Sequence, residues 1–167
     1  MKEVYIDTNV ILRLYENKSG KEDAEKIVLL ARQGKIRLAI SEWVINECVA
    51  AVQNKRNKNI ISKEEAAEHL AGIADLIEGK IEEVNLSLYP VTEDVVRNSL
   101  ITIQDVRCHS AGDAIHVYTA DKSHCDYFVT AEEDLSNKIK VSNLGHRLSA
   151  VNIGDLNDLL SFLYHHE

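Results

Sequence analysis

Val4-Tyr5-Ile6-Asp7-Thr8-Asn9 passes from apolar to polar in one step and leaves Asp7 where a short strand stops. Glu3 to Ile6 reads as a buried strand, and Thr8 to Tyr15 as a helix that opens directly after it. An acid at such a junction lies on a sheet edge, where other elements that end there can add acids of their own. Glu47, Asp113 and Glu132 stand at matching places further along the chain. Carboxylates brought together repel one another unless protons or metal ions neutralise them. The spacing therefore points to a scaffold for divalent metal.

Outward from that junction, strands and helices alternate. Glu22 to Gln33 carries Ala24, Ile27, Val28 and Ala31 at helical spacing, and Gly34 ends that helix. Ile36 to Ile40 is a second strand, with Ser41 as N-cap of a helix through about Asn54. Ser62-Lys63-Glu64-Glu65 is a capping-box pattern opening a helix that stops near Gly79. Val84 to Leu88 is a third strand ended by Pro90, and Thr92 to about Val106 and Ser110 to Lys122 are helical. Asp126 to Thr130 is a fourth strand followed by a short acidic helical turn, Leu148 to Ile153 the last strand, and Asp155 to Tyr164 a closing helix. Strands separated by helices require crossovers, so the expected class is α/β, a three-layer α/β/α sandwich around a central parallel sheet. Ligands of such sheets gather beyond the carboxyl ends of the strands.

The 167 residues suit a single domain over 1–167, with an extra helical hairpin expected within 54–83. At 45% hydrophobic and 28% charged, the composition is that of an ordinary globular protein rather than a disordered one. Cys48, Cys108 and Cys125 are odd in number and far apart, which suits reduced thiols better than a disulfide framework. The start of the chain lacks a basic region followed by an apolar stretch, and no run approaches the roughly 20 apolar residues that span a bilayer. A cytoplasmic protein without a membrane anchor is expected. The formal charge of −8 argues against a broad nucleic-acid surface, although two divalent ions in an acidic centre would reverse the local sign.

Each acid has a plainer explanation. Asp7 can cap the helix that follows it, Asp113 completes a Ser110-x-x-Asp capping box, and Glu133 completes a Thr130-x-x-Glu box that leaves Glu132 free. Glu47 caps nothing and lies among Trp43, Val44, Ile45, Cys48 and Val49, residues read as core or subunit interface.

Together and in order, YIDTNV (5–10), SEWVINE (41–47), AGDAIHVYTA (111–120) and DYFVTAEEDL (126–135) resemble the PIN-domain nucleases, including the VapC-like toxin endoribonucleases. The resemblance runs from Met1 to about Leu135, with the strand near Val151 also in place. It implies a hydrolase that cleaves RNA phosphodiester bonds with Mg²⁺ or Mn²⁺. By position it assigns Asp7, Glu47 and Asp113 as metal-holding catalytic acids, with Asn9 and Thr130 in support. The family usually shows Thr-x-Asp at the fourth acid, where this chain has Glu132; Asp134, two residues on, is the other candidate. The resemblance further implies an RNA substrate, a small antitoxin partner where the protein is a toxin, and a homodimer. The alternative is a catalytically quiet PIN-like module that binds RNA or protein.

Paired ions about 4 Å apart suit an in-line displacement at phosphorus, and no Ser-His-Asp or Cys-His arrangement competes. Lys138, Lys140 and Arg147, close in sequence to the fourth strand, are the candidate RNA contacts, ahead of Lys55-Arg56-Asn57-Lys58, which reads first as a solvated helix end. The Cys and His residues lack zinc spacing, and His116 reads first as a packed or exposed histidine. A receiver-like fold would want adjacent acids at Asp7-Thr8, and a haloacid-dehalogenase fold Asp-x-Asp where Asn9 stands.

Overall fold

Five parallel strands form one sheet in this computed structural model, which describes residues 1–16, 20–79, 84–156 and 160–161. They are β1 (Lys2–Ile6), β2 (Ile36–Ser41), β3 (Leu86–Tyr89), β4 (Tyr127–Thr130) and β5 (Ser149–Asn152), ordered β3-β2-β1-β4-β5. The chain builds outward from β1 on one side, then returns to add β4 and β5 on the other. The order reverses between β1 and β4, and a crevice opens beyond the carboxyl ends of strands at such a point. Asp7 and Thr130 stand at the ends of those two strands.

The sheet forms because its central strands offer apolar side chains to both faces. Val4, Tyr5 and Ile6 are buried, as are all four residues of β4. Register places Val4 beside Leu38 and Tyr127, and Tyr5 beside Ala39 and Phe128. The Tyr5 and Phe128 rings stack with centroids 5.5 Å apart. Burying side chains of this size contributes roughly 1.5–3 kcal/mol each, which makes β1 and β4 a firm platform.

Helices α1 (Thr8–Tyr15), α2 (Lys21–Arg32), α3 (Glu42–Asn57), α4 (Lys63–Ile77), α5 (Glu93–Val106), α6 (Ala111–Lys122) and α7 (Glu133–Val141) cover the sheet. The α/β sandwich expected from periodicity is the architecture found. Gly34 takes φ +67° just past α2, the left-handed conformation that a helix stop requires. α4 packs back on α3 and places Ala66, Ile73 and Leu76 in the same core as the sheet, so the segment after Asn54 joins the body of the protein. Lys80 to Glu83, within the expected hairpin range, lies outside the described residues. So does most of the expected closing helix, of which residues 160–161 are helical and Asp155 belongs to a 3-10 turn.

Three local expectations are corrected. The acidic turn after β4 is the nine-residue helix α7. Ser41 is the N-cap of α3 by position, but makes no side-chain cap and instead accepts a hydrogen bond from Tyr5. The Thr130-Glu133 box does not form: Glu132 is the N-cap position, and the Thr130 hydroxyl donates to Asp7. In both capping cases a buried partner, Tyr5 on β1 or Asp7 just past its end, takes the hydroxyl that the local backbone pattern claimed. No helix among the described residues is long and apolar enough to cross a membrane.

Candidate metal centre

Asp7 is only 4% exposed, and each of its oxygens has a donor. Thr8 N–H donates to Oδ1 at 2.6 Å, and Thr130 Oγ1 donates to Oδ2 at 2.9 Å. Its backbone N–H donates to Val129 across the gap between β1 and β4. Asp7 therefore does cap α1, as the plainer reading had it, and also faces the crevice. Burial pushes its pKa up, against the opposing pull of the His116 charge.

Glu47 reaches the same place from α3. Its Oε2 accepts from Thr8 Oγ1 at 2.6 Å and lies 2.9 Å from His116 Nε2, while Oε1 accepts from Trp43 Nε1 at 2.8 Å. Burial raises its pKa, yet the His116 contact and the Thr8 and Trp43 donors outweigh that and hold it at about 2. His116 is moved the other way, burial lowering and Glu47 and Asp7 raising its pKa, with a net rise. Glu47 Oε2 lies within hydrogen-bond reach of His116 Nε2 at 2.9 Å, whereas Asp7 Oδ1, at 3.6 Å, acts on it through its charge.

Gly112 explains how α6 comes this close. A Cβ there would lie 2.5 Å from Glu47 Oε1 and 3.2 Å from Trp43 Nε1. The absent side chain lets the start of α6 rest on Glu47 and seats His116, one turn on, beneath it.

Asp113, Glu132 and Asn9 line the rim. Asp113 sits in its capping box, accepting from Ser110 N at 3.1 Å and Ser110 Oγ at 2.7 Å, and its charge raises the pKa of both His116 and Glu132. Glu132 accepts from Asn9 Nδ2 at 2.8 Å; burial first, then Asp113 and Asp7, push its pKa up. Asp134 is engaged elsewhere, 2.5 Å from His109 Nε2 and 2.7 Å from Lys138 Nζ, and those partners lower its pKa. Of the two candidates for the fourth acid, Glu132 is the one tied to the site through Asn9.

The basic candidates divide. Lys138 stands with His109 and Asp134, and Lys140 is exposed further along α7. Arg147 pairs with Asp121 at 3.0 Å and lines a cavity with His124, Cys125 and Asp126, before the start of β4. That is the opposite edge of the sheet from Asp7. A groove of about 650 Å³ lies instead against Asn9, Leu12, Arg13, Glu16, Lys55, Ala131 and Glu132. Lys55, read from sequence as a helix end, thus faces the groove, ion-paired with Glu16.

One group of ligand atoms among the described residues could hold an ion: Asp7, Glu47 and His116 lie within 4.8 Å of one another. The donor set fits a divalent cation, since two carboxylates and an imidazole nitrogen converge at a sheet edge. His116 was the residue sequence spacing undervalued. Its place one turn after Asp113 was visible, but its partners lie 69 and 111 positions away, on α3 and β1.

The PIN-domain family profile matches residues 3–134, and the chain belongs to the PIN-domain family. The fold is similar to that of the sarcin–ricin loop cleaving toxin VapC20 of Mycobacterium tuberculosis, with a TM-score of 0.58 and 14% identity over 80% of this chain and 93% of that one. It is also similar to VapBC2 of Rickettsia felis, solved with a promoter DNA fragment, at a TM-score of 0.62 and 14% identity over 90% of this chain and 98% of that one. FitAcB of Neisseria gonorrhoeae gives 0.59 and 14% over 92% and 99%. No curated protein sequence matches the chain.

Proposed function

We propose that this PIN-domain protein is an endoribonuclease dependent on Mg²⁺ or Mn²⁺, which hydrolyses RNA phosphodiester bonds as the toxin of a toxin–antitoxin pair. The convergence of Asp7 and Glu47 at the point where strand order reverses carries the reading. Asp7 and Glu47 would hold the ion, and Asp113 and Glu132 at the rim would complete the acidic set. Held by these acids, such an ion would supply Lewis-acid chemistry for the phosphate and for a bound water.

The chain's own residues do the rest. Thr130 donates to Asp7, and Thr8 and Trp43 donate to Glu47, which fixes the orientation of both carboxylates. Asn9 holds Glu132 toward the groove. Arg13 and Lys55 along the groove, and Lys138 beside His109, supply positive charge for the RNA backbone. A cytoplasmic homodimer that a small antitoxin inhibits by filling the groove is part of the same reading.

Labelled RNA incubated with purified protein and Mn²⁺ should be cut internally, and chelator or Asp7→Asn should abolish the cutting. Full cleavage by Asp7→Asn would sink the proposal. RNA binding without cleavage in any metal would favour the second reading, a catalytically quiet binding module. The engagement of Asp113 in its capping box is the observation that supports that alternative.

A further inference from the structure

His116 forms the third corner of the Asp7–Glu47 pair, and residues remote from the carboxylates fix its ring. Tyr5 Oη donates to Ser41 Oγ at 2.8 Å and lies 2.9 Å from His116 Nδ1. With the phenolic proton on Ser41, the Tyr5 oxygen is the acceptor for the ring, and Nδ1 is the nitrogen engaged away from the carboxylates. Tyr5 and Ser41 are both 0% exposed, and no bulk water competes for these bonds. Nε2 is left as the ring atom facing the crevice, 2.9 Å from Glu47 Oε2, 3.6 Å from Asp7 Oδ1 and 3.4 Å from Thr8 Oγ1. Ligand atoms held about 2.1 Å from one ion and at right angles to each other lie about 3.0 Å apart. The spacing of Nε2 from the two carboxylates suits adjacent places around a single ion.

We propose that His116 Nε2 is a metal ligand beside Asp7 and Glu47, that Ser41 and Tyr5 are its positioning residues, and that this nitrogen makes the centre prefer Mn²⁺ to Mg²⁺. The inference rests on the metal-dependent reading above and adds a ligand and a selectivity to it. Mg²⁺ favours oxygen donors and keeps its waters, whereas imidazole nitrogen binds first-row transition ions more strongly. A hydrogen bond from the far ring nitrogen orients such a ligand and raises its basicity, and losing it commonly weakens metal binding 10- to 100-fold. The Ser41–Tyr5 pair explains why Ser41 forgoes its cap on α3.

The test titrates the full chain with Mn²⁺ alone, then with Mg²⁺ alone, by calorimetry, and records pulsed electron-spin-echo spectra of the Mn²⁺ form. Directly bound imidazole gives ¹⁴N modulation. The wild-type spectrum should show it, and His116→Gln should lose it together with about tenfold of Mn²⁺ affinity, with Mg²⁺ affinity changing less than twofold. Tyr5→Phe should keep the ¹⁴N signal and still bind Mn²⁺ about tenfold more weakly, which a purely structural role for Tyr5 would not produce. Mn²⁺ bound to wild type in an Asp7-dependent way but without ¹⁴N modulation overturns the inference and leaves the metal-dependent reading standing. No Mn²⁺ binding by wild type overturns both. The wild-type spectrum is decisive even where His116→Gln fails to fold.

Discussion

Asp7 is a carboxylate placed where water barely reaches, and burial holds its pKa above the ordinary value. A carboxylate raised in the folded state resists ionising there, so at neutral pH its charge works against folding when no cation is bound. Asp7→Asn keeps an acceptor for Thr8 N–H and a partner for Thr130 while removing that charge. In the metal-free protein it should raise Tm by a few degrees, since about 1 kcal/mol corresponds to about 2–4 °C at this size. A calorimetric melt in chelator that shows a lower Tm would contradict this account. His116 and Glu47 respond to pH in opposite directions. The pKa of His116 lies above 6.5 in the fold, so its stabilisation is complete below pH 6.5 and fades as pH climbs through the raised value. Glu47 falls from 4.5 to about 2, so its share is present above pH 4.5 and is lost as pH drops through 2. Glu47 is partly exposed and its share is the smaller. The Tm gap between metal-free wild type and His116→Gln should therefore be widest between pH 4.5 and 6.5 and shrink at higher pH. Melts across that range measure it; a gap that widens above neutrality would be the wrong sign. Asp7 was legible from the sequence because strand, acid and helix are contiguous. His116 was not, because nothing local distinguishes a histidine packed on carboxylates from one packed on leucines.

At the scale of elements, the start of α6 is set by two small facts, a serine cap and a missing side chain. Ser110 and Asp113 form both halves of their capping box, as the sequence pattern required, because both partners are local. The same holds for Ser62 and Glu65 at α4. Ser41 and Thr130 escaped that logic because Tyr5 and Asp7 offer buried partners whose desolvation makes an unmade hydrogen bond costly. Gly112 stands in the Ala111-Gly112-Asp113 motif, but only the fold shows that it sets how near α6 comes to Glu47. Gly112→Ala should push Glu47 aside, weaken Mn²⁺ binding severalfold and lower stability by about 1–3 kcal/mol, the usual range for overpacking. Calorimetry of metal binding alongside a melt tests both parts. Unchanged Mn²⁺ affinity would mean that Glu47 is not a ligand in the position described.

Across the molecule, the formal charge of −8 hides an uneven distribution. Arg13 and Lys55 face the groove that ends at Asn9 and Glu132, and Arg147 sits at the far edge of the sheet. Linear sequence suggested the reverse ranking, since Arg147 is closer along the chain to the β4 acids than Lys55 is. The fold brings the end of α3 over the carboxyl edge instead. Arg13→Ala with Lys55→Ala should weaken binding of single-stranded RNA and reduce the slope of log affinity against log salt by about 0.7 for each phosphate left without its cation. Arg147→Ala should leave the slope unchanged. An equal loss from Arg147→Ala would return the RNA path to the opposite edge. The order of strands and their parallel sense were legible as a class from the alternation of short apolar runs with helices. Which strands become neighbours was not, because pairing depends on crossovers that no local pattern records.

β1 lies third of five in the sheet and is paired on both sides, and the Asp7 amide is itself bonded to Val129. Strands in that position open to solvent only when the whole domain does, so their amide protons exchange at the rate of global unfolding. The carboxylate at its end shares that fate. Peripheral segments can fray without displacing Asp7. If the proposed activity holds, its restraint would fall to a molecule that occupies the groove rather than to unfolding of this strand.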